Sequence, residues 1–290
     1  SLGWEGQGLS FMGAYTVDEI ELSGPPRTLV IRGKPADMAG AAKNTRQHAW
    51  EQVPLSQIVK EVAARNSWQA MCSIDTTIPR ADQTWESDLN FLTRLARQYN
   101  ATATLKERKL LVMPRANGKT ASGKSLPVIQ LEPTAINSYR LTFPDRGSVA
   151  AVKARAHDSK TGQKIDIVIP NPDAPTGSSA AVHTDRHIYP NASAAKAAAR
   201  AKLAGMNRQT ATGNLTLRGR ADLAAEKSVA LKGFKQEADG TYLIESVTHH
   251  LAGQSWTTTV ELSAGKSGKA KAGQTKQPAR KTALVIPAAP

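Results

Sequence analysis

Asp82-Gln-Thr-Trp-Glu-Ser-Asp-Leu-Asn-Phe-Leu-Thr-Arg-Leu-Ala-Arg97 decides how this 290-residue chain is read. Leu89, Leu92, Leu95, Ala96 and Tyr99 recur at three- and four-residue spacing, the stripe of an amphipathic helix over Thr84–Asn100. Glu86 and Asp88 come early and Arg94 and Arg97 late, the order that complements a helix dipole, and Asn100 suits the C-terminal stop. Upstream, Leu55, Ile58, Val59, Val62 and Ala63 repeat the period after Pro54 and predict a helix over Ser56–Asn66. Downstream, Thr102–Leu105 and Lys109–Met113 alternate as short strands around Lys106-Glu-Arg108. These pieces make an α+β unit of about 70 residues, near the small end of independent domains.

Towards the N-terminus the period falls to two. Tyr15, Val17 and, after a slip, Ile20 and Leu22 alternate; Ser23-Gly-Pro-Pro26 turns the chain, and Thr28–Ile31 returns as a hairpin. Such a hairpin needs further strands to bury its apolar face, and they are expected upstream of Ser1. Towards the C-terminus, Pro114–Pro127 has linker composition. Strands are predicted at Val128–Leu131, Ser138–Phe143, Val149–His157 and Lys164–Ile169, then a loop at Pro170–Ser179 and an Ala-rich helix at Ser193–Arg208. Two hairpins close the fold: Gly213–Gly219 with Ser228–Phe234, and Thr241–His250 with Trp256–Leu262. No secondary structure is predicted after Leu262.

Composition narrows the function. Lys+Arg 38 against Asp+Glu 24 gives +14, suggestive of a polyanionic partner. Six of those charges (Lys266, Lys269, Lys271, Lys276, Arg280, Lys281) fall after Leu262 without one acid, leaving +8 on the other 262 residues. The stretch lacks the interleaved aromatics that stack bases, so a solvated linker and a nucleic-acid contact read equally well. No run of about 18 apolar residues offers a spanning helix. The lone Cys72 can form neither an intrachain disulfide nor a multi-thiolate zinc site.

Candidate chemistry is sparse. Gly118-Lys-Thr-Ala-Ser-Gly-Lys-Ser125 matches a phosphate-binding loop, but Leu126-Pro127 leaves no room for the helix whose amides would hold phosphate. His183 and His187 have the spacing of paired metal ligands on a helix, yet Pro190 and the preceding loop favour loop histidines. His249 and His250 alternate on a strand, one facing the core and the other water. Asp158, Asp166, Asp173, Asp222 and Glu226 form no acid–base pair, no Gly-x-Ser-x-Gly elbow occurs, and nothing activates Cys72. Asn191 and Asn214 head chance glycosylation patterns. No catalytic, cofactor-binding or metal-ligating residue is assigned, and the sequence gives no support for an enzyme.

Three separated motifs nevertheless carry a family resemblance. Met12–Pro26 with Thr28–Met38 resembles the phage late control D proteins, hubs of contractile-tail baseplates; Asp82–Arg97 is similar to a segment shared with type VI secretion spike proteins; and Leu217–Leu223, Val229–Phe234, Tyr242–His249 and Thr257–Leu262 resemble the same family's second barrel. The resemblance implies a mainly β fold of two tube-like barrels with a small α/β domain inserted between them. Applied to this chain it gives the remaining strands of a truncated first barrel at 1–41, the inserted α+β domain at 42–114, a linker at 115–127, the second barrel with one flanking helix at 128–262 and a basic disordered tail at 263–290. It also implies a homotrimeric ring that adapts a trimeric central spike to the hexameric tail tube, without cofactor, in the virion baseplate or a phage-tail-like particle, assembled in the bacterial cytoplasm. Other baseplate proteins are expected partners, and the basic tail is expected to reach spike, tube or, transiently, DNA. The rival readings are a nucleic-acid-binding regulator using that tail and a nucleotide-dependent enzyme using Gly118–Ser125.

Overall fold

A computed structural model describes residues 1–35, 44–120, 123–144, 149–157, 162–174, 181–265, 268–269 and, as backbone, 284–287. The 41/42 boundary, Asp158 and the charges at Lys266, Lys271, Lys276, Arg280 and Lys281 lie outside the described residues. The chain divides into two compact units, 1–96 with 101–113 and 97–100 with 114–290.

In the first unit, strands β1 (Tyr15–Ser23) and β2 (Thr28–Pro35) pair antiparallel as a two-stranded sheet, with a register shift between Val17 and Glu19 where the alternation slips. Strand β3 (Thr45–Pro54) pairs antiparallel with β5 (Thr77–Ser87). Helix α1 (Leu55–Arg65) and strand β4 (Gln69–Cys72) lie between them in sequence. Helix α2 (Asp88–Gln98) leads into the β6 (Ala101–Lys106) and β7 (Lys109–Pro114) hairpin, which turns at Glu107 and Arg108 with φ of 51° and 58° and gives the three-stranded order β4-β7-β6.

The core of this unit is Trp50, the buried faces of α1 and α2, Leu110 and Val112. Trp50 stacks on Phe91 at 4.8 Å, donates its indole N–H to Glu61 at 2.6 Å and lies beneath Arg65. That hydrogen bond is the main reason the Glu61 carboxyl titrates below its ordinary range.

The signature segment holds two surprises. Residues 84–87 belong to β5, so the helix starts only at Asp88, and its buried face is Asp88, Phe91, Leu92, Leu95 and Ala96. Asp88 is fully buried rather than solvated at a helix start. Asn66 Nδ2 and Gln83 Nε2 donate to its two oxygens at 2.8 and 3.0 Å, and the guanidinium groups of Arg46 and Arg65 stand at 3.7 Å.

Among the described residues the second unit contains two sheets. Strands β8 (Ile129–Leu131) and β9 (Ile136–Thr142) form the ends of a six-stranded sheet with β13 (Thr212–Arg218), β14 (Ser228–Leu231), β15 (Gly240–Ala252) and β16 (Ser255–Ser263), in the order β8-β14-β15-β16-β13-β9. The expected β15–β16 hairpin is present, but β13 and β14 do not pair with each other: β13 lies between β16 and β9, and β14 between β15 and β8. Since β8 ends at Leu131 and β9 starts at Ile136, the two end strands are tied within about 17 Å. The outermost strands of a flat six-stranded sheet stand about 24 Å apart, so this one must curl. Leu215, Leu217, Val229, Leu231, Tyr242, Ile244, Val260 and Leu262 supply its buried face. Gly219 admits the indole of Trp256 into the space that a Cβ would fill.

The other sheet has the order β12-β10-β11-β17, from β10 (Ala151–His157), β11 (Lys164–Pro170), β12 (Val182–Tyr189) and β17 (Leu284–Pro287). Helix α3 (Ala192–Arg208), capped by Asn191 Oδ1 accepting from Ala194 N, lays Ala195, Ala199 and Leu203 on a face where Ala154 and Ala156 oppose Ile167 and Ile165. Small residues on both surfaces let the helix sit close. Two expectations are corrected. His183 and His187 lie on strand β12 rather than in a loop, and the C-terminal stretch read as structureless contains β17 and the docked pair Gly268–Lys269. Lys269 donates its backbone N–H to Thr210 and sets its ammonium over the Tyr242 ring at 4.7 Å.

Two measurements probe these contacts. Asp88→Asn retains the shape but aims an amide N–H at one of two donors, so the free energy of opening α1 and α2 should fall by about 3 kcal/mol, a roughly hundredfold loss of amide-exchange protection. His249, within reach of Thr258 Oγ1 at 2.9 Å, accepts the Trp256 indole N–H at 3.3 Å, and burial lowers its pKa. A depressed histidine contributes full stability above the unfolded value near 6.5 and loses it as pH falls through the folded value. The urea midpoint should therefore drop from pH 7.5 to 5, and His249→Asn should flatten that slope.

Candidate assembly surface

Opposed residues of an antiparallel pair share a face, so the register sorts the β1–β2 side chains. Tyr15, Val17, Ile20, Leu22, Leu29 and Ile31 fall on one face, where each is between 57% and 79% exposed. Thr16, Glu19, Glu21, Arg32 and Lys34 fall on the other. There Arg32 Nη1 donates to Glu19 at 2.6 Å and to Glu21 at 3.0 Å, and Lys34 pairs with Asp18. Exposed ion pairs add little stability. Their effect is orientational: the charged face belongs to water, and the apolar face belongs against protein. No third strand covers it among the described residues.

A second exposed anchor is Trp85, missed by a helical reading of Thr84–Asn100. It is the bulged residue of the β3–β5 pair, with φ of 50° and 71% exposure. Gln83 Nε2 on Glu86 O and Arg94 Nη2 on Asp82 O hold the bulge, and Arg94 also pairs with Glu86. An exposed indole on a clamped, left-handed backbone is suited to protein contact.

The sequence-level chemical candidates do not converge. Around Gly118–Ser125, Thr120 N donates to Lys124 O, Gly123 N to Thr120 O and Leu126 N to Gly118 O, with Lys119 bridging Ser125. Lys124 N donates to Thr120 Oγ1, so these described amides are engaged within the loop itself. On β12, His187 packs edge-on against Tyr189, while Asp185 accepts from the Tyr189 hydroxyl at 2.9 Å. Burial first and that carboxylate second push the Tyr189 phenol well above its ordinary range. Among the described residues no group of three His, Cys, Asp or Glu is placed to hold a metal. Burial raises the Cys72 thiol, which donates to Ile74 O.

The second unit also has a cleft of about 540 Å³ lined by Arg115, Arg140, Arg208, Glu245 and Glu261. Arg115 pairs there with Glu245 and, at 3.4 Å, with Glu226. Burial first and the Arg115 charge second lower the Arg208 pKa. The Arg115 ion pairs join its own turn to the Glu226 turn and to strand β15, and Ser263 Oγ donates to Glu245 there at 2.6 Å.

The chain is mainly β with a curled sheet, a fold also found in solved tail proteins. A tail protein of Neisseria meningitidis MC58 shares it with a TM-score of 0.67 at 16% identity, over 88% of this chain and 81% of that one. A type VI secretion component of Escherichia coli shares it with a TM-score of 0.54 at 12% identity, over 92% and 62%. The chain belongs to the phage tail baseplate hub (GPD) family, whose model matches residues 18–255. The probable baseplate hub protein of Escherichia phage 186 is 32% identical over 300 residues, 90% of this chain and 77% of that protein. Membership places the chain in the virion tail baseplate, assembled in the host.

If the hairpin face is an assembly surface, Ile20→Glu with Leu22→Glu should weaken self-association or baseplate incorporation about tenfold or more. Both residues are exposed, so the urea unfolding midpoint should move by no more than about 0.5 kcal/mol equivalent. Sedimentation and unfolding on the same preparation separate the two effects.

Proposed function

We propose that this hub is a structural adaptor: three copies close into a ring that seats a trimeric central spike on one side and the hexameric tail tube on the other. The observation that carries the reading is the β1–β2 hairpin, whose six large apolar side chains share one uncovered face opposite an ion-paired one. Cyclic assemblies bury such a face using the same patch set on every subunit. In this reading the curled sheet of 128–262 supplies one tube-like barrel wall, β1–β2 within 1–41 belongs to the other, and 42–114 is inserted between them, with 115–127 as connector. The protein acts mechanically. It has no catalytic role, and it requires no cofactor.

Electrostatic reach of the basic C-terminal segment towards tube, spike or DNA is a secondary part of the proposal, supported by Lys271, Lys276, Arg280 and Lys281, four cations without an acid after the docked Lys269. Multi-angle light scattering should give three times the chain mass at micromolar concentration; a stable monomer across that range sinks the ring. Loss of salt-dependent DNA retention on removing 270–290 would support the electrostatic part, and unchanged retention would reject it.

A further inference from the structure

Among the described residues, three buried side-chain atoms have no hydrogen-bond partner: Arg46 Nε, Asn66 Oδ1 and Gln83 Oε1. All three belong to residues that surround Asp88. Asn66 Nδ2 donates to one carboxylate oxygen at 2.8 Å and Gln83 Nε2 to the other at 3.0 Å, while Arg46 Nε faces Asp88 Oδ2 from 3.7 Å, beyond hydrogen-bond reach. Buried polar atoms of a native fold are paired with few exceptions, so three exceptions around one carboxylate call for a common cause.

Turning the amides over does not supply it. The Asn66 amide nitrogen directs its two hydrogens to Val62 O and Asp88, and the Gln83 nitrogen directs its two to Glu86 O and Asp88. A flip of either would aim oxygen at oxygen and lose both of its bonds. Both amide orientations are therefore fixed, and their oxygens need a donor from elsewhere.

The chemistry of the three atoms names the ligand. They are two acceptors and one donor. A metal cation could use the amide oxygens, but it would leave Arg46 Nε unmet and stand near the guanidinium charges of Arg46 and Arg65, each 3.7 Å from the carboxylate. An anion would be repelled by Asp88 and by both amide oxygens. A neutral molecule with two hydrogens and a lone pair meets all three. Polar groups held just beyond direct contact are where bridging water is found, and buried waters typically make about three hydrogen bonds.

We infer that a buried water is a structural ligand of the signature segment, donating to Asn66 Oδ1 and Gln83 Oε1 and accepting from Arg46 Nε. It joins β3, the exit of α1 and β5 at one point. It also braces Gln83, whose Nε2 on Glu86 O holds the bulge that projects Trp85. The inference is independent of the number of copies in the assembly.

A high-resolution crystal structure of the full chain tests it directly. One water peak within about 3.2 Å of all three atoms is the expected result. Pairing of those atoms with other protein groups overturns it, as does a peak with metal–oxygen distances of about 2.0–2.6 Å. In solution, oxygen-17 relaxation dispersion reads the exchange of long-lived waters, and Arg46→Met removes the donor from a side chain that is 36% exposed. One long-lived water should then exchange about tenfold faster, the loss of one hydrogen bond. An unchanged dispersion profile overturns the three-contact assignment, and the crystal structure of the unaltered chain decides the site should the variant fail to fold.

Discussion

Taking a carboxylate out of water is tolerated only where other groups replace its hydration, and Asp88 imposes that requirement on the whole α+β unit. The groups that meet it come from three places: Arg65 and the cap residue Asn66 at the end of α1, Gln83 on β5, and Arg46 on β3. Each amide also holds backbone, Asn66 on Val62 O and Gln83 on Glu86 O. One side chain thereby fixes the exit of α1, the end of β5 and the start of α2. Its consequences reach the surface, since the same β5 ending carries the bulge that projects Trp85.

The helices were legible because a 3.6-residue period survives in the order of apolar residues. Asp88 was not, because an acid at a helix start reads as a solvated partner of the dipole and only packing decides that it is enclosed. Strand β3 was invisible for another reason: of its ten residues only Trp50 is buried, so Thr45–Pro54 shows no alternation. The slip between Val17 and Ile20 was readable, since a bulge leaves its mark on the alternation itself. Strand partners were not, and Gly213–Gly219 and Ser228–Phe234 look like a hairpin only until the long-range pairing of β13 with β9 and of β14 with β8 is known. The Gly118–Ser125 pattern could be set aside from Leu126-Pro127 alone, but spacing does not record amide direction, which only the structure shows.

The assembly surfaces were partly foreseen. Alternation identified the hairpin and its unmet need for partners, while the charges of Glu19, Glu21 and Arg32 specify which face must find them. A hub works through such surfaces, while ion pairs elsewhere tie separate segments of the fold together, as Arg115 does with Glu226 and Glu245.

The curled sheet has a consequence for the order in which the protein is made. Its two outermost strands, β8 and β9, are synthesised first, and neither has a lateral neighbour until β13 and β14 emerge. About 70 residues separate the end of β9 at Thr142 from the start of β13 at Thr212, and translation at roughly 5–20 residues per second makes that a wait of some 4 to 14 s. The intervening chain is β10 to β12 and α3, a layer with a core of its own that can form meanwhile. The interposed layer thus acts as a timing element: it consumes the apolar residues nearest the ribosome exit while the nascent edges stand open, and leaves the last hairpin, β15–β16, to complete the sheet.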